Sequence, residues 1–371
     1  MSRIDRVIIH HRAIPLERPF VTAVRTAHAI DVLIVEVQDC DGRSGWGEAP
    51  TSWRVTGESV ESVTAAVMGP LTEALVGLAT EDPEALSVAT ERAVIHNSSA
   101  RMAVECALYD LAARAAGVPL FQYLGATAPV VRTDMTLSAI AADSEIGALC
   151  RTASEFASAG YRTLKIKVGA GGDDVKVLVE VRNAVGVDIN LRVDANQAWS
   201  PQEAVRNIEA LEDGGVAVEF VEQPVSRHDT DGLAYVTSRT TTPIMADESV
   251  WTRRDLLEII RTRAADFVNI KLAKTGGIRV ALDLVTLAQE NEIGVIAGCM
   301  AESQVGIAAA AALASVIDTN LQVARPHDLD GGLLLTRSPV VGGVTYSGEH
   351  VLLSEVPGTG ILGLADEIAT R

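Results

Sequence analysis

Cysteine, aromatic residues and lysine are all scarce in this chain of 371 residues. The four cysteines are far apart and form no Cys-x-x-Cys pair, and no Cys/His cluster indicates zinc. The longest apolar run, residues 306–317, is too short to span a bilayer and is typical of a buried helix. No apolar signal core follows the first methionine. We therefore expect a reduced, cytoplasmic protein.

Positive charge is also in short supply. The chain has 49 acidic and 31 basic residues, which gives a formal net charge of −18. An acidic surface repels phosphate backbones and anionic lipids, so we expect neither a nucleic-acid nor a membrane partner. A small anionic substrate stays possible, because a local basic pocket can override the global field. With 48% hydrophobic residues, the chain can bury a core, which excludes extensive disorder.

Lysine usage is more informative than the total charge. Arginine keeps its proton at working pH, whereas a lysine that is buried or crowded by cations can lose it. In a chain that otherwise uses arginine, each lysine is therefore a candidate for proton transfer. The five lysines are Lys165, Lys167, Lys176, Lys271 and Lys274. Lys176 lies in a helix-like stretch and is interpreted as a surface residue.

Residues 1–125 have the pattern of an α+β domain. The β-branched run at residues 31–37 predicts a strand, and Asp41-Gly42 after it predicts a hairpin turn. From residue 59 to about residue 124 the apolar residues follow a helical spacing. The first domain is therefore predicted to combine a small sheet with helices.

From residue 126 onwards, short apolar runs that end in a polar residue alternate with helix-like segments. Successive run ends lie about 24 to 29 residues apart, the length of one strand–helix unit. Eight such units, the last strand at residues 321–324, predict a TIM-type barrel over residues 126–342. An open doubly wound sheet is the alternative, but no glycine-rich phosphate fingerprint follows the first strand. The tail, residues 343–371, is expected to return to the first domain.

Three acidic residues follow three consecutive predicted strands: Asp194, Glu222 and Asp247. In a barrel the carboxyl ends of the strands converge on one mouth, so these side chains should be neighbours. Three carboxylates repel each other unless a cation lies between them. Oxygen ligands without His or Cys favour a hard cation, and the sequence therefore predicts a Mg²⁺ site.

Two groups of lysines flank this predicted site. Lys165 and Lys167 are two residues apart on the second barrel strand, so both face the interior. Lys271 ends the sixth strand, across the barrel. Two amines on opposite sides of a metal suit a 1,1-proton transfer, in which one removes an α-proton and the other returns a proton to the opposite face. Mg²⁺ would hold the substrate carboxylate and stabilise the enediolate.

These residues stand in motifs that resemble the enolase superfamily, in its muconate-lactonizing subgroup. The motifs are Lys165-Ile166-Lys167, Asp194-Ala195-Asn196-Gln197, Glu222-Gln223-Pro224, Asp247-Glu248-Ser249 and Lys271. The resemblance covers nearly the whole chain and implies an α/β fold, a modified TIM barrel (β/α)7β with an N-terminal α+β capping domain. It implies Lys167 and Lys271 as the acid/base pair and Lys165 as a hydrogen-bond donor to the enediolate. Asn196 and Glu248 would lie beside the metal ligands.

Two further motifs narrow the reaction. Asp328-Leu329-Asp330 is similar to the Asp-x-Asp of dipeptide epimerases, which implies that both carboxylates bind the substrate ammonium group. The loop around Arg25 resembles the N-terminal loop of the Ala-Glu epimerases, where an arginine meets the glutamyl side-chain carboxylate. Ser138 and Met300, after the first and seventh barrel strands, are further candidates for substrate contact.

The predicted function is Mg²⁺-dependent epimerisation of a small-molecule dipeptide, closest to L-Ala-D/L-Glu, by a homo-oligomeric enzyme. Two alternatives stay open. The same lysines and metal serve o-succinylbenzoate synthases and N-acylamino acid racemases, whose substrates carry no free ammonium group. A barrel that binds a ligand without turnover is the other alternative.

Overall fold

The computed structural model describes residues 2–319 and 324–366. Most of the predicted eighth barrel strand, residues 321–324, therefore lies outside the described residues. No helix in the described part of the chain is long and apolar enough to cross a membrane.

The N-terminal part is an antiparallel sheet of three strands with helices packed on it. The strands are β1 (Ile4–Val21), β2 (Thr26–Asp39) and β3 (Ser44–Pro50). The helices are α1 (Val60–Ala66), α2 (Thr72–Leu75), α3 (Pro83–Ala93), α4 (Ser98–Ala116) and α5 (Leu120–Tyr123), with a π-helical turn (Val67–Leu71) between α1 and α2. Gly45 and Gly47 let β3 approach α4, because a Cβ at either would lie 2.0 Å from a carbonyl oxygen of that helix. The sheet and α4 thus share one core.

The second part is a curled parallel sheet of seven strands. Its strands are β5 (Met135–Leu137), β6 (Thr163–Lys167), β7 (Asn190–Asp194), β8 (Val221–Glu222), β9 (Ile244–Ala246), β10 (Phe267–Lys271) and β11 (Gly294–Gly298), in that spatial order. A short strand, β4 (Val130–Arg132), precedes them. The ring is completed by parallel bridges from His327 to Thr133 and from Asp328 to Gly298. The predicted barrel with its α+β capping domain is confirmed.

Helices follow the barrel strands and cover the outside of the ring. They are α6 (Ile146–Ser158), α7 (Asp174–Val185), α8 (Pro201–Asp213), α9 (Thr230–Thr237), α10 (Arg253–Thr262), α11 (Leu272–Thr275), α12 (Ile278–Glu290) and α13 (Gln304–Thr319), with 3-10 turns at Asp143–Glu145 and Gly331–Leu334. Helix α13 contains the long apolar run and is buried over most of its length. Apolar contacts between these helices and the strands form the main core.

The C-terminal segment adds four short strands. These are β12 (Val340–Gly342), β13 (Thr345–Ser347), β14 (His350–Leu352) and β15 (Ile361–Leu364). Strand β14 pairs with β4, whereas Thr359 donates its backbone N–H to Asp110 on α4. We propose residues 1–125 and 126–342 as the two domains, with the following tail tied to the first through this contact.

Asp110 should be a main contributor to the stability of this arrangement. Its fully buried carboxylate accepts hydrogen bonds from the backbone of Trp46 (2.8 Å) and Thr359 (2.5 Å) and pairs with Arg114 (3.0 Å). Asp110→Ala leaves these donors without an acceptor, so we expect the free energy of unfolding in urea to fall by about 3 kcal/mol. Asp213→Ala, at an exposed position, is the control. Equal stability of the two variants would contradict the assigned role.

Candidate active site

The polar residues at the strand ends come together at one mouth of the barrel. Lys167 is paired in register with Asp194, and Asp194 with Glu222, so three successive strands place these side chains next to each other. Asp247 follows β9 and Lys271 ends β10. All five are buried. The parallel register therefore brings together residues that are far apart in sequence.

Lys165 lies at the centre of the carboxylates. Its Nζ is 2.7 Å from Glu222, 3.1 Å from Asp194 and 2.9 Å from Asp328. Burial disfavours its charge, but these carboxylates outweigh burial and hold the pKa of Lys165 well above its usual value. Lys165 is therefore a fixed positive charge in this arrangement.

Lys167 and Lys271 approach the same cavity from opposite strands of the ring. Lys167 Nζ donates to Asp194 Oδ2 (2.6 Å) and to Asn196 Oδ1 (3.1 Å). Lys271 Nζ donates to Asp247 Oδ2 (2.8 Å). Four strand positions separate β6 from β10, so the two amines face each other across the mouth.

The cavity between the lysines is small. It encloses about 90 Å³, below the roughly 300 Å³ at which ligand pockets usually begin. Its polar lining consists of Thr22, Arg25, Thr136, Lys165, Lys167, Asn196, Asp247, Glu248, Lys271, Asp328 and Asp330, and its apolar lining includes Phe20, Val24, Val55, Met300 and Leu334. Phe20 to Arg25 and Val55 contribute the capping-domain side of this lining. A ligand larger than a few water molecules requires the loops that carry these residues to move.

The three predicted metal ligands lie close enough to affect one another's charge. Burial, together with the charges of Asp194 and Asp247, raises the pKa of Glu222 to about 8. Each carboxylate comes from a different strand, and the donors are all oxygen atoms. This donor set and the mutual repulsion fit a hard divalent cation such as Mg²⁺.

Lys274 is a site residue that the motifs did not identify. It is buried, and its Nζ donates to Asp247 Oδ1 (2.5 Å), to the Asn269 carbonyl (2.8 Å) and to the Asp247 carbonyl. Asp247 thus lies between two lysines, which outweigh burial and hold the pKa of its carboxyl well below the usual range. The scarcity of lysine was the available signal, since Lys274 follows Lys271 by three residues.

Asn269 and Asp134 also contribute to the site, and sequence reasoning missed both. Asn269 Nδ2 donates to Glu222 (3.0 Å) and to Asp328 (3.2 Å). Asp134 lies deeper in the barrel and pairs with Arg192 at 2.8 Å. Both side chains face the interior of the barrel. Asn269 does so because it stands two residues before Lys271 on β10, and alternate residues of a strand share one face. That alternation was the signal that could have found Asn269.

Asp134, Asp328 and Asp330 form a second acidic cluster, with ligand atoms within 4.8 Å of one another. Asp328 contacts Lys165 and Asp134 contacts Arg192, so two of the three carboxylates have a cationic neighbour. Asp330 Oδ2 instead accepts a hydrogen bond from the backbone N–H of Thr136 (2.6 Å). Burial and the charge of Asp328 raise the pKa of Asp330 to about 6. Asp328 and Asp330 both line the cavity.

The remaining predicted residues differ in how they meet the cavity. Arg25 is half-buried in its lining and donates from Nη1 to Ser52 Oγ (2.9 Å). Met300 also lines it, whereas Ser138 does not: the Ser138 hydroxyl accepts from the Val21 N–H (3.2 Å) and so fastens the end of β1. In place of Ser138, Thr136 on β5 faces the cavity.

Asn196 and Glu248 lie beside the predicted metal ligands. Asn196 Nδ2 donates to Glu248 Oε1 at 3.3 Å, and its own backbone N–H donates to Asp194. Burial and the charges of Asp247 and Asp194 raise the pKa of Glu248 to about 7. The two side chains thus connect the ends of β7 and β9.

The chain matches two families of domains along its length. Residues 4–125 match the mandelate racemase/muconate lactonizing enzyme N-terminal domain, and residues 148–363 match the enolase C-terminal domain-like family. An L-Ala-D/L-Glu epimerase from Clostridium acetobutylicum is 38% identical over 97% of this chain and 99% of its own.

Solved structures are similar over the same range. A substrate-liganded complex of the L-Ala-D/L-Glu epimerase from Bacillus subtilis superposes with a TM-score of 0.92 at 39% identity, covering 98% of this chain and all of that one. A dipeptide epimerase from Enterococcus faecalis, complexed with Mg and L-Leu-L-Tyr, gives 0.90 at 37% identity over 97% and 99%. The chain therefore belongs to the mandelate racemase/muconate lactonizing enzyme family, within the enolase superfamily.

Proposed function

We propose that the chain is a Mg²⁺-dependent dipeptide epimerase that inverts the α-carbon of the C-terminal residue, with L-Ala-D/L-Glu as its substrate pair. The observation that carries this proposal is the placement of Lys167 and Lys271 on opposite strands around one cavity. The relatives named above are epimerases of the same substrate class, which supports it.

Asp194, Glu222 and Asp247 are the residues that would hold Mg²⁺. When bound there, the cation supplies positive charge against the negative charge that develops on the substrate carboxylate as the α-proton leaves. Lys165 adds a permanently charged hydrogen-bond donor on the same side, because its pKa is held high by its carboxylate neighbours. Both features serve the same developing charge.

Lys167 and Lys271 exchange protons with the substrate α-carbon from opposite faces. In one direction Lys167 Nζ accepts the proton and Lys271 Nζ donates one, and in the other direction the roles are reversed. Before either can act as a base, it must give up its ion pair, with Asp194 or with Asp247. Lys274 stays on Asp247 while Lys271 moves, so that carboxylate keeps a cationic partner.

Asp328 and Asp330 would bind the ammonium group of the dipeptide, and Arg25 the glutamyl side-chain carboxylate. The two aspartates line the cavity from the barrel, and Arg25 lines it from the capping domain. A guanidinium can pair with a carboxylate through two hydrogen bonds, which explains an arginine at that place. Met300 and Phe20 provide apolar contact between them.

The test of the proposed function is proton NMR of L-Ala-L-Glu in D₂O with the enzyme and Mg²⁺. We expect the glutamyl α-proton signal to disappear while the resonances of the L,D epimer grow. Binding of L-Ala-L-Glu with no loss of its α-proton signal would favour the barrel that binds a ligand without turnover. No change with L-Ala-L-Glu, but exchange with an N-succinyl amino acid, would favour the N-acylamino acid racemase alternative.

When either acid/base lysine is replaced, proton exchange should remain on only one face of the substrate α-carbon. In Lys271→Ala we expect epimerisation to fall by about 10³-fold, while one of the two epimers still exchanges its α-proton through Lys167. Lys167→Ala should show the opposite selectivity. Lys176→Ala, an exposed lysine paired with Asp143, is the matched control and should retain full activity. Wild-type epimerisation by Lys271→Ala would exclude the two-base assignment.

Asp330 should make dipeptide binding dependent on pH. Its pKa is raised to about 6, so protonation removes its charge as the pH falls through that value, and the KM for L-Ala-L-Glu should rise below pH 6. Asp330→Asn should raise that KM roughly tenfold at pH 8 and abolish the extra rise below pH 6. Kinetics that do not respond to Asp330→Asn would contradict ammonium binding by this residue.

A further inference from the structure

A second, larger recess lies next to the active-site cavity. It has a volume of about 930 Å³ and is bounded by capping-domain residues 53–57 and 96–101 and by the start of α10 and α12 on the barrel. Val55 and Glu248 line both this recess and the active-site cavity. The active-site cavity and this groove therefore share two of their lining side chains.

The groove is basic, although the chain as a whole carries a net charge of −18. Six arginines line it, and they define what we call the arginine groove: Arg54, Arg101, Arg227, Arg253, Arg254 and Arg279. Four acids line the groove: Glu91, Glu248, Asp255 and Asp283. Glu91 and Asp283 pair with Arg279, Asp255 accepts the backbone N–H groups just before α10, and Glu248 accepts hydrogen bonds from two side-chain amides. Most of the arginine charge in the groove is therefore not balanced by an acidic residue within the described residues.

Five of these arginines make no ion pair with any residue in the described ranges: Arg54, Arg101, Arg227, Arg253 and Arg254. Arg227 Nε instead donates to His228 Nε2. The Nε atom of Arg101 is buried without a hydrogen-bond partner in the described structure, as is that of Arg279. A buried donor without an acceptor is uncommon in a folded protein. The guanidinium of Arg101 also acts on the buried carboxylates of Glu58 and Glu105, so the exposed arginines carry most of the charge that faces the groove.

Arg253 and Arg254 are also unfavourable for their own helix. They occupy the first turn of α10, after the cap residue Thr252, where the helix dipole favours negative side chains. Both are exposed and face the groove. Glu258, one turn further along α10, offsets part of this cost for Arg254. An anionic ligand in the groove would offset it for both arginines.

We propose that the arginine groove captures the anionic dipeptide before it enters the active site. This inference rests on the proposed function, since Ala-Glu carries two carboxylates and one ammonium group and is therefore a net anion. The acidic surface repels such a molecule, and a basic groove reverses the field locally and raises the association rate. The dipeptide then passes between Val55 and Glu248 into the active-site cavity when the capping-domain loop at residues 53–57 moves.

The experiment measures association of L-Ala-L-Glu with the Mg²⁺-loaded enzyme by stopped-flow tryptophan fluorescence, because Trp53 and Trp251 both line the groove. In the double variant Arg253→Gln/Arg254→Gln we expect the association rate constant at about 0.1 M salt to fall roughly threefold or more, with a weaker dependence on salt. The loss should appear in kcat/KM rather than in kcat. L-Ala-L-Gln, which has no net charge, should associate equally with both enzymes.

The matched control is Arg261→Gln/Arg263→Gln, which removes the same charge from exposed positions at the other end of α10. That end is about 15 Å away, beyond the screening length of about 10 Å at this salt, so the rate should not change. If the groove variant and the wild type associate with L-Ala-L-Glu at equal rates, and the wild type epimerises it, the role proposed for the arginine groove is wrong and the proposed function stands. A wild-type enzyme that neither binds nor epimerises it would overturn both.

Discussion

The site depends on the balance of charge inside the barrel mouth. Carboxylates and amines alternate there out of contact with water, and each would be costly to bury alone. Lys165 illustrates the constraint, since it touches Asp194, Glu222 and Asp328 at once. The balance is nevertheless incomplete around Glu222, whose pKa is raised to about 8. A structure that leaves one carboxylate under-neutralised at this point is prepared to accept a cation.

The same balance connects the parts of the proposed mechanism. Each acid/base lysine rests on a carboxylate that would ligate the metal, Lys167 on Asp194 and Lys271 on Asp247. Asp194 and Asp247 would therefore serve both a bound divalent cation and the lysines beside them, and each would hold its lysine less strongly when it ligates the cation. Lys274 gives Asp247 a second partner that does not take part in proton transfer. The capping domain adds part of the cavity lining, which includes the cationic side chain of Arg25.

The distribution of charge over the protein surface also affects how an anionic substrate reaches the site. An acidic protein that acts on an acidic dipeptide must overcome its own field, and the arginine groove is placed beside the site, where it can do so. Its charge comes from both domains, with Arg54 and Arg101 on one side and Arg253 and Arg254 on the other. The capping-domain loop at residues 53–57 lines the groove, and its residue Val55 also lines the active-site cavity.

The sequence by itself determined the barrel and the polar residues that end its strands, because strand–helix spacing and inward alternation are local properties. It also determined the reaction class, through three carboxylates and two groups of lysines on successive strands. The tertiary structure alone decided that Ser138 fastens β1 while Thr136 faces the cavity. Lys274, Asn269 and the arginine groove likewise depended on it, since their partners lie on elements distant in the chain. Such contacts arise from ring closure and domain docking, which no local pattern encodes.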